Sequence, residues 1–286
     1  MNSLVNHWLQ SLTILKPQFL VHFVLRAAQN FGRACATLAT SFPWIISIDF
    51  AFVAFFGCKI IEFMMQALNK QISQLHPLLM ISMLIIGVMT FLMQVFFVLF
   101  LRQDHFLLNA RSYIQAYAMR YIQFLFFTSF ITTILRLSLF AGGVTQISKI
   151  PELPIFLLKA FEMFALFFWL DSSHSIKALL RSFERSANLL FYTLPVVLFI
   201  SCLSFGALAL LIGSVLGWDK VTQAPYALAS FIEFFVEFGK IPSTWQVVTI
   251  KYARFLIDGM TVALLYTWYR RKRGVIYATQ LLPDSE

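Results

Sequence analysis

Long apolar runs separated by short polar segments dominate the chain, and most runs reach the roughly 20 residues that a helix needs to cross a bilayer core. They cover about 43–66, 78–101, 121–143, 154–171, 189–217 and 247–269. The pattern predicts an all-α fold, a polytopic membrane helix bundle of six transmembrane helices forming a single integral membrane domain over 1–286. The second run contains no charged residue, and the fourth is short enough to imply little tilt or local thinning of the bilayer. Pro43 suits the first turn of its helix, where the missing N–H is unpaired in any case, and Trp44 suits the headgroup level. Between the fifth and sixth runs, Phe231 to Phe238 is apolar but too short to cross and carries Glu233 and Glu237. The stretch 226–239 is therefore predicted to be interfacial or re-entrant.

Amphipathic segments precede the odd-numbered runs. In 19–40, His22, Arg26, Gln29 and Arg33 share one helical face, while Phe23, Ala27, Phe31 and Ala34 point largely away from it. In 102–120, polar residues including Arg111 and Gln115 alternate at helical spacing with Phe106, Ala110, Tyr113, Ile114 and Tyr117. The segment from His174 to Asn188 is the clearest. Ile176, Leu179, Leu180, Phe183 and Ala187 form its apolar face, and His174, Lys177, Arg181, Arg185 and Asn188 the opposite one. Such helices lie in the plane of a membrane interface, so these three are predicted to be cytoplasmic elbows. Arg33 precedes Pro43 by ten residues, Arg185 precedes Pro195 by ten, and Arg120 precedes Phe130 by ten. A histidine opens each elbow, which raises the possibility of a threefold internal repeat of elbow, span and return span.

Composition agrees with a membrane chain: 59% of residues are hydrophobic and 12% charged, against about a quarter charged in a soluble domain. The net charge of +9 is explained by basic residues held in cytoplasmic loops, without invoking nucleic acid. With both termini cytoplasmic, the inner segments hold Lys16, Arg26, Arg33, Arg102, Arg111, Arg120, Lys177, Arg181, Arg185, Arg270, Arg271, Lys272 and Arg273. The outer loops hold only Lys70, Lys149, Lys220 and Lys240, an asymmetry that supports an even number of spans. Of the inner residues, Arg26, Arg33, Arg111, Lys177, Arg181, Arg185 and the run Arg270 to Arg273 are assigned to the membrane interface. Residues 1–16 lack the pattern of a cleavable signal peptide, so the first span is expected to act as an uncleaved anchor. Cys35, Cys58 and Cys202 are an odd number without CxxC spacing and predict neither a disulfide framework nor a metal site.

Catalytic signatures are missing: no HExxH, GxSxG, P-loop or dinucleotide fingerprint occurs, so no catalytic residue, metal or cofactor is expected. Charges inside the apolar runs are the sharpest signal, because ionisable groups in hydrocarbon usually face a bundle interior or a wet cavity. They are Asp49, Lys59, Glu62, Arg136, Lys159, Glu162, Lys251, Arg254 and Asp258. Lys251, Arg254 and Asp258 share one helical face by their spacing of three and four. On the predicted topology Lys59, Glu62, Lys159, Glu162, Lys251 and Arg254 fall in the external half, with Arg136 near the middle. Glu233 and Glu237 stand one helical turn apart in the external loop. Together with Asp258, these residues are the candidate polar cluster, either a vestibule for an ion, an anionic headgroup or a small solute, or a set of mutually neutralising ion pairs.

The elbow Lys177-Ala178-Leu179-Leu180-Arg181-Ser182-Phe183, followed by Asn188-Leu189 and a long Leu/Gly/Ser-rich span, resembles a broad group of six-span bacterial membrane proteins. That group includes the membrane domain attached to some glycerophosphoryl diester phosphodiesterases, and the similarity covers about half the chain. It implies a bacterial inner-membrane location. No phosphodiesterase domain follows in this sequence, so no catalytic residue carries over. The expected function is a non-enzymatic membrane-embedded scaffold or partner of envelope components, in contact with lipids and other membrane proteins. The alternative is a small transporter or permease component using the charges of the external half.

Overall fold

Eight helices account for nearly all of the residues that the computed structural model describes, namely 8–9, 16–68, 77–102, 110–141, 152–172, 175–217 and 242–281. No strand occurs among them. The helices are α1 Pro17–Ser41, α2 Pro43–Leu68, α3 Pro77–Arg102, α4 Ala110–Ala141, α5 Glu152–Asp171, α6 Ile176–Tyr192, α7 Leu194–Leu216 and α8 Thr244–Leu281. Among the described residues, three stretches are long and apolar enough to cross a membrane: Pro43–Phe63, Pro77–Arg102 and Leu194–Leu216. They correspond to the first, second and fifth predicted spans. The other three predicted spans fall in α4, α5 and α8, which carry charges along their length.

Local chemistry sets the helix ends. Proline is the first residue of α1, α2 and α3, where its fixed φ is preorganised and no N–H is lost from the ladder. Ser175 caps α6 by accepting a hydrogen bond from the Ala178 amide at 3.1 Å. α6 ends at Thr193, whose N–H reaches the carbonyls of Leu189 at 3.0 Å and Leu190 at 3.3 Å. Pro195 explains the break, because in a continuous helix its ring would meet the carbonyl of Phe191. The predicted span 189–217 is thus divided, its first residues completing the elbow helix.

Two further expectations are corrected. Residues 110–120 run without interruption into the rest of α4, so the second elbow is not a separate helix within the described residues. α8 continues to Leu281, so the basic run Arg270 to Arg273 lies inside a helix and does not close one. The helix breaks before Pro43 and Pro195 recur in two of the three proposed repeats; the third has Phe130 within continuous helix and no break. The stretch 226–239, with Glu233 and Glu237, lies outside the described residues.

The helices sort into two compact units, each described by itself. The first comprises the described residues within 1–34, 98–203 and 260–286. Residues 164–170 of α5 and 261–269 of α8 are buried on every side, as expected of helix segments apolar around their whole circumference. Phe23, Ala27 and Ala34 of α1 are buried while Arg26 is exposed, the face that periodicity predicts. α6 packs on α5, with Ser182, Ser186 and Leu189 buried and the Ser186 hydroxyl donating to the Phe161 carbonyl at 2.5 Å. The ring of Phe183 lies 5.8 Å from each of Phe124, Phe127 and Phe161. Leu180 and Ala187 of the apolar face, and Phe191 beyond it, are left exposed.

The second unit comprises residues within 35–97 and 204–259. Val53 and Ile61 of α2, Ile212 of α7, and Val247 and Ile250 of α8 form its buried apolar cluster. A Cβ at Gly57 would stand 2.9 Å from a methyl of Val247, so glycine there permits the close approach of α2 to α8.

Candidate functional site

The second unit contains a cavity of about 550 Å³ between α2, α3 and α8. Apolar residues such as Val53, Ile61, Ile86, Met93 and Phe255 make most of its wall. Thr90 and Gln94 from α3 and Lys251, Tyr252, Arg254 and Asp258 from α8 supply the polar part. Two glycines line it with opposite consequences. Gly57 is at the tight α2–α8 contact, whereas a Cβ at Gly87 would meet nothing within 4 Å.

One polar anchor beside this wall is Asp49 of α2, whose side chain is entirely buried. Lys251 Nζ contacts its Oδ1 at 2.5 Å and its Oδ2 at 2.7 Å. The Tyr252 hydroxyl donates to Oδ2 at 2.7 Å and the Thr90 hydroxyl to Oδ1 at 3.3 Å. A buried carboxylate is tolerable when paired and hydrogen-bonded in this way, since removing either partner strands a charge in a medium that cannot solvate it. Arg254 and Asp258 are paired more loosely, at 3.8 Å, and each keeps about a third of its side chain exposed, 32% and 31%. The cavity thus offers hydrocarbon surface along most of its length and a cation and a carboxylate at one patch. That combination suits a small amphiphilic molecule, with the apolar body against α2 and α3 and a polar end at α8. No group of three or more His, Cys, Asp or Glu able to hold a metal ion occurs among the described residues.

Only part of the predicted cluster comes together here. Lys251, Arg254 and Asp258 line the cavity as their shared face predicts. Lys59 is exposed and Glu62 half-buried in the same unit, and neither lines it. Lys159 and Glu162 are half-buried residues of the first unit. Arg136 is on α4, with its side chain outside the described set, as is that of Arg111. Asp49 was not among the predicted cluster, because its position early in the first span placed it at another depth from Lys251.

The first unit has its own carboxylate centre, Asp171, the last residue of α5. Arg102 donates to its Oδ1 from Nε at 2.9 Å and from Nη2 at 2.6 Å. Arg273 Nη1 reaches Oδ2 at 2.9 Å and the Tyr269 hydroxyl reaches it at 2.6 Å. Burial lowers the Arg273 pKa, but the charge of Asp171 and the neighbouring Tyr269 and Tyr266 outweigh it, for a net rise. Arg102 and Arg120 lie over the ring of Tyr117, at 4.5 Å and 5.1 Å from its centroid. Arg102 and Arg273, predicted as generic cytoplasmic charges, are thus tied to one acid. The sequence signal was an aspartate at a span end on the arginine-rich side.

The remaining interface candidates differ in setting. Arg26, Lys177, Arg181 and Arg270 are exposed, and Arg185 is half-buried. Arg33 donates to Asn30 at 3.3 Å, and Arg271 lies over the ring of Phe19. Lys272 lies over Trp268, and its pKa is lowered by burial and then by the charge of Arg271. Comparison with protein-family models, curated proteins and solved structures finds no match to this chain.

Proposed function

We propose that this chain is a six-span integral membrane protein of a bacterial inner membrane, with both termini cytoplasmic, that binds a small amphiphilic solute in the cavity of its second unit. It acts as a small transporter or as a component of one. The single observation that carries the reading is the cavity of about 550 Å³ with Lys251, Arg254 and Asp258 on one wall. Its volume is within the range of small-molecule sites, and its mostly apolar lining with a few polar groups is their usual composition.

The topology is supported by the three apolar helices, by the basic asymmetry of the loops and by α6. On α6, Leu180, Ala187 and Phe191 are exposed on one face together with Glu184, and Lys177 and Arg181 stand beside it. An uncovered amphipathic face with basic neighbours fits the boundary between headgroups and acyl chains.

A second reading, the membrane-embedded scaffold, is favoured by one specific observation: the Asp49 carboxylate is fully engaged by Lys251, Tyr252 and Thr90, as in a structural ion pair. Solute uptake by Arg254→Ala, at unchanged protein level, separates the two. Loss of uptake of a solute that the wild type accumulates supports transport. Unchanged uptake across a panel of amphiphilic solutes supports the scaffold.

A further inference from the structure

The first unit carries a separate pocket of about 730 Å³ between α4, α5 and α6. One side is apolar and runs along α4: Met119, Ile122 and Phe126 follow one another at helical spacing, and all three are exposed, at 62%, 46% and 78%. The other side is polar, with Arg120, Gln123 and Ser175. Arg120 is the distinctive member. Its Nη1 makes only long contacts, to the carbonyls of Leu170 at 3.5 Å and Ser172 at 3.4 Å. Its Nε is buried without a hydrogen-bond partner among the described residues. The nearby acid Asp171 is engaged by Arg102, Arg273 and Tyr269, and Arg120 has no carboxylate partner among the described residues. A half-buried guanidinium held at Nη1 by carbonyl dipoles and against an aromatic face keeps its positive charge and leaves its Nη2 donors for an anion.

We infer that this pocket binds one anionic phospholipid of the cytoplasmic leaflet, with its phosphate at Arg120 and Gln123 and an acyl chain along Met119, Ile122 and Phe126. Basic pockets between membrane helices on the cytoplasmic side are suited to anionic headgroups. The exposed apolar strip continuing from the same pocket is what distinguishes a lipid from a soluble phosphate. The site is distinct from the cavity of the second unit. It rests on the proposed placement of α4 in the membrane, and not on solute binding.

The test uses the full-length protein in neutral detergent, titrated with dioleoyl phosphatidylglycerol or dioleoyl phosphatidylcholine, with retained lipid read by native mass spectrometry. The two lipids share acyl chains and differ in headgroup charge. Retention of the anionic lipid is expected to be about tenfold stronger, the scale of one charge-assisted contact. Arg120→Gln is expected to remove that preference. Because Arg120 also stacks on Tyr117, Gln123→Glu serves as the second variant: its side chain is exposed, and the new carboxylate faces the phosphate. Equal retention of the two lipids by the wild type overturns the site, as does an unchanged preference in Gln123→Glu. Equal competition by glycerol phosphate overturns the lipid as occupant. Phe126→Cys in membranes separates the premises: protection from a water-soluble maleimide supports the placement of α4, and rapid labelling overturns both the placement and the site.

Discussion

Asp49 and Asp171 solve the same problem in two ways. Each holds a carboxylate among helices, and each recruits a tyrosine hydroxyl, Tyr252 at 2.7 Å and Tyr269 at 2.6 Å. Asp49 is wholly buried, in the second turn of α2, and faces one lysine. Asp171 is 16% exposed, ends α5, and faces two arginines. A lysine is a compact charge on a flexible stem, whereas arginine presents a planar set of donors that can hold several acceptors in fixed geometry. The Asp171 centre therefore resembles a clasp on the ends of α3 and α5 and on α8, with positive charge in excess. The Asp49 centre is balanced one to one and engaged by Lys251, Tyr252 and Thr90, and its lysine also lines the cavity. The first arrangement ties helix ends together at a partly exposed acid, and the second holds a wholly buried acid through a lysine on the cavity wall.

The largest expected effect comes from breaking the buried pair. Lys251→Met should cost about 3–5 kcal/mol, because the wholly buried Asp49 carboxylate is left in a site that cannot solvate it, and Asp49→Leu should cost less, because Lys251 is 20% exposed. The double substitution should recover most of that loss, since a buried ion pair replaced by apolar residues is often neutral. Thermal unfolding in one detergent measures all three; single variants within about 1 kcal/mol of wild type would remove the distinction between the centres.

A smaller effect is expected at the other centre. Asp171→Asn should cost about 1–3 kcal/mol, since the group is partly hydrated and the arginines can reach water. Its loss should shrink in high salt, while that of Lys251→Met, which leaves the wholly buried Asp49, should not, because screening acts mainly on accessible charges. Unfolding of both variants across a salt series reads the contrast, and equal salt dependence would contradict it.

The smallest effects concern the two glycines of the cavity wall. Gly87→Ala should stabilise by up to about 1 kcal/mol, gaining helix propensity with open space around the new methyl. Gly57→Ala should destabilise by about 1–2 kcal/mol despite the same gain, because its Cβ meets Val247 at 2.9 Å. Unfolding midpoints of the same sign for both would show that the wall is less differentiated than the distances indicate.

Much of the helix pattern was legible in the residues. The face of α1 through Phe23, Ala27 and Ala34 follows from spacing, and the break at Pro43 from the imino acid itself. The face of α6 was not, because apolarity alone does not reveal that Ser182 and Ser186 pack inward, where a small side chain with a backbone-bonded hydroxyl allows close approach. The site was legible on one helix only. Spacing put Lys251, Arg254 and Asp258 on one face, but a helical period gives a direction and no partner. Asp49 and Thr90 meet Lys251 or its acid from positions about 200 and 40 residues from their counterparts, a distance across which no local pattern operates. Asp171 was overlooked because a charge at a span end is ordinarily solvated.

The most direct test of the cavity as a solute site is uptake into proteoliposomes by wild type and Gly87→Phe at matched protein content. The new side chain starts in open space on the cavity wall, so the unfolding temperature should hold while uptake of an amphiphile that the wild type accumulates is lost. Undiminished uptake by a folded Gly87→Phe protein would contradict the assignment of this cavity to the solute.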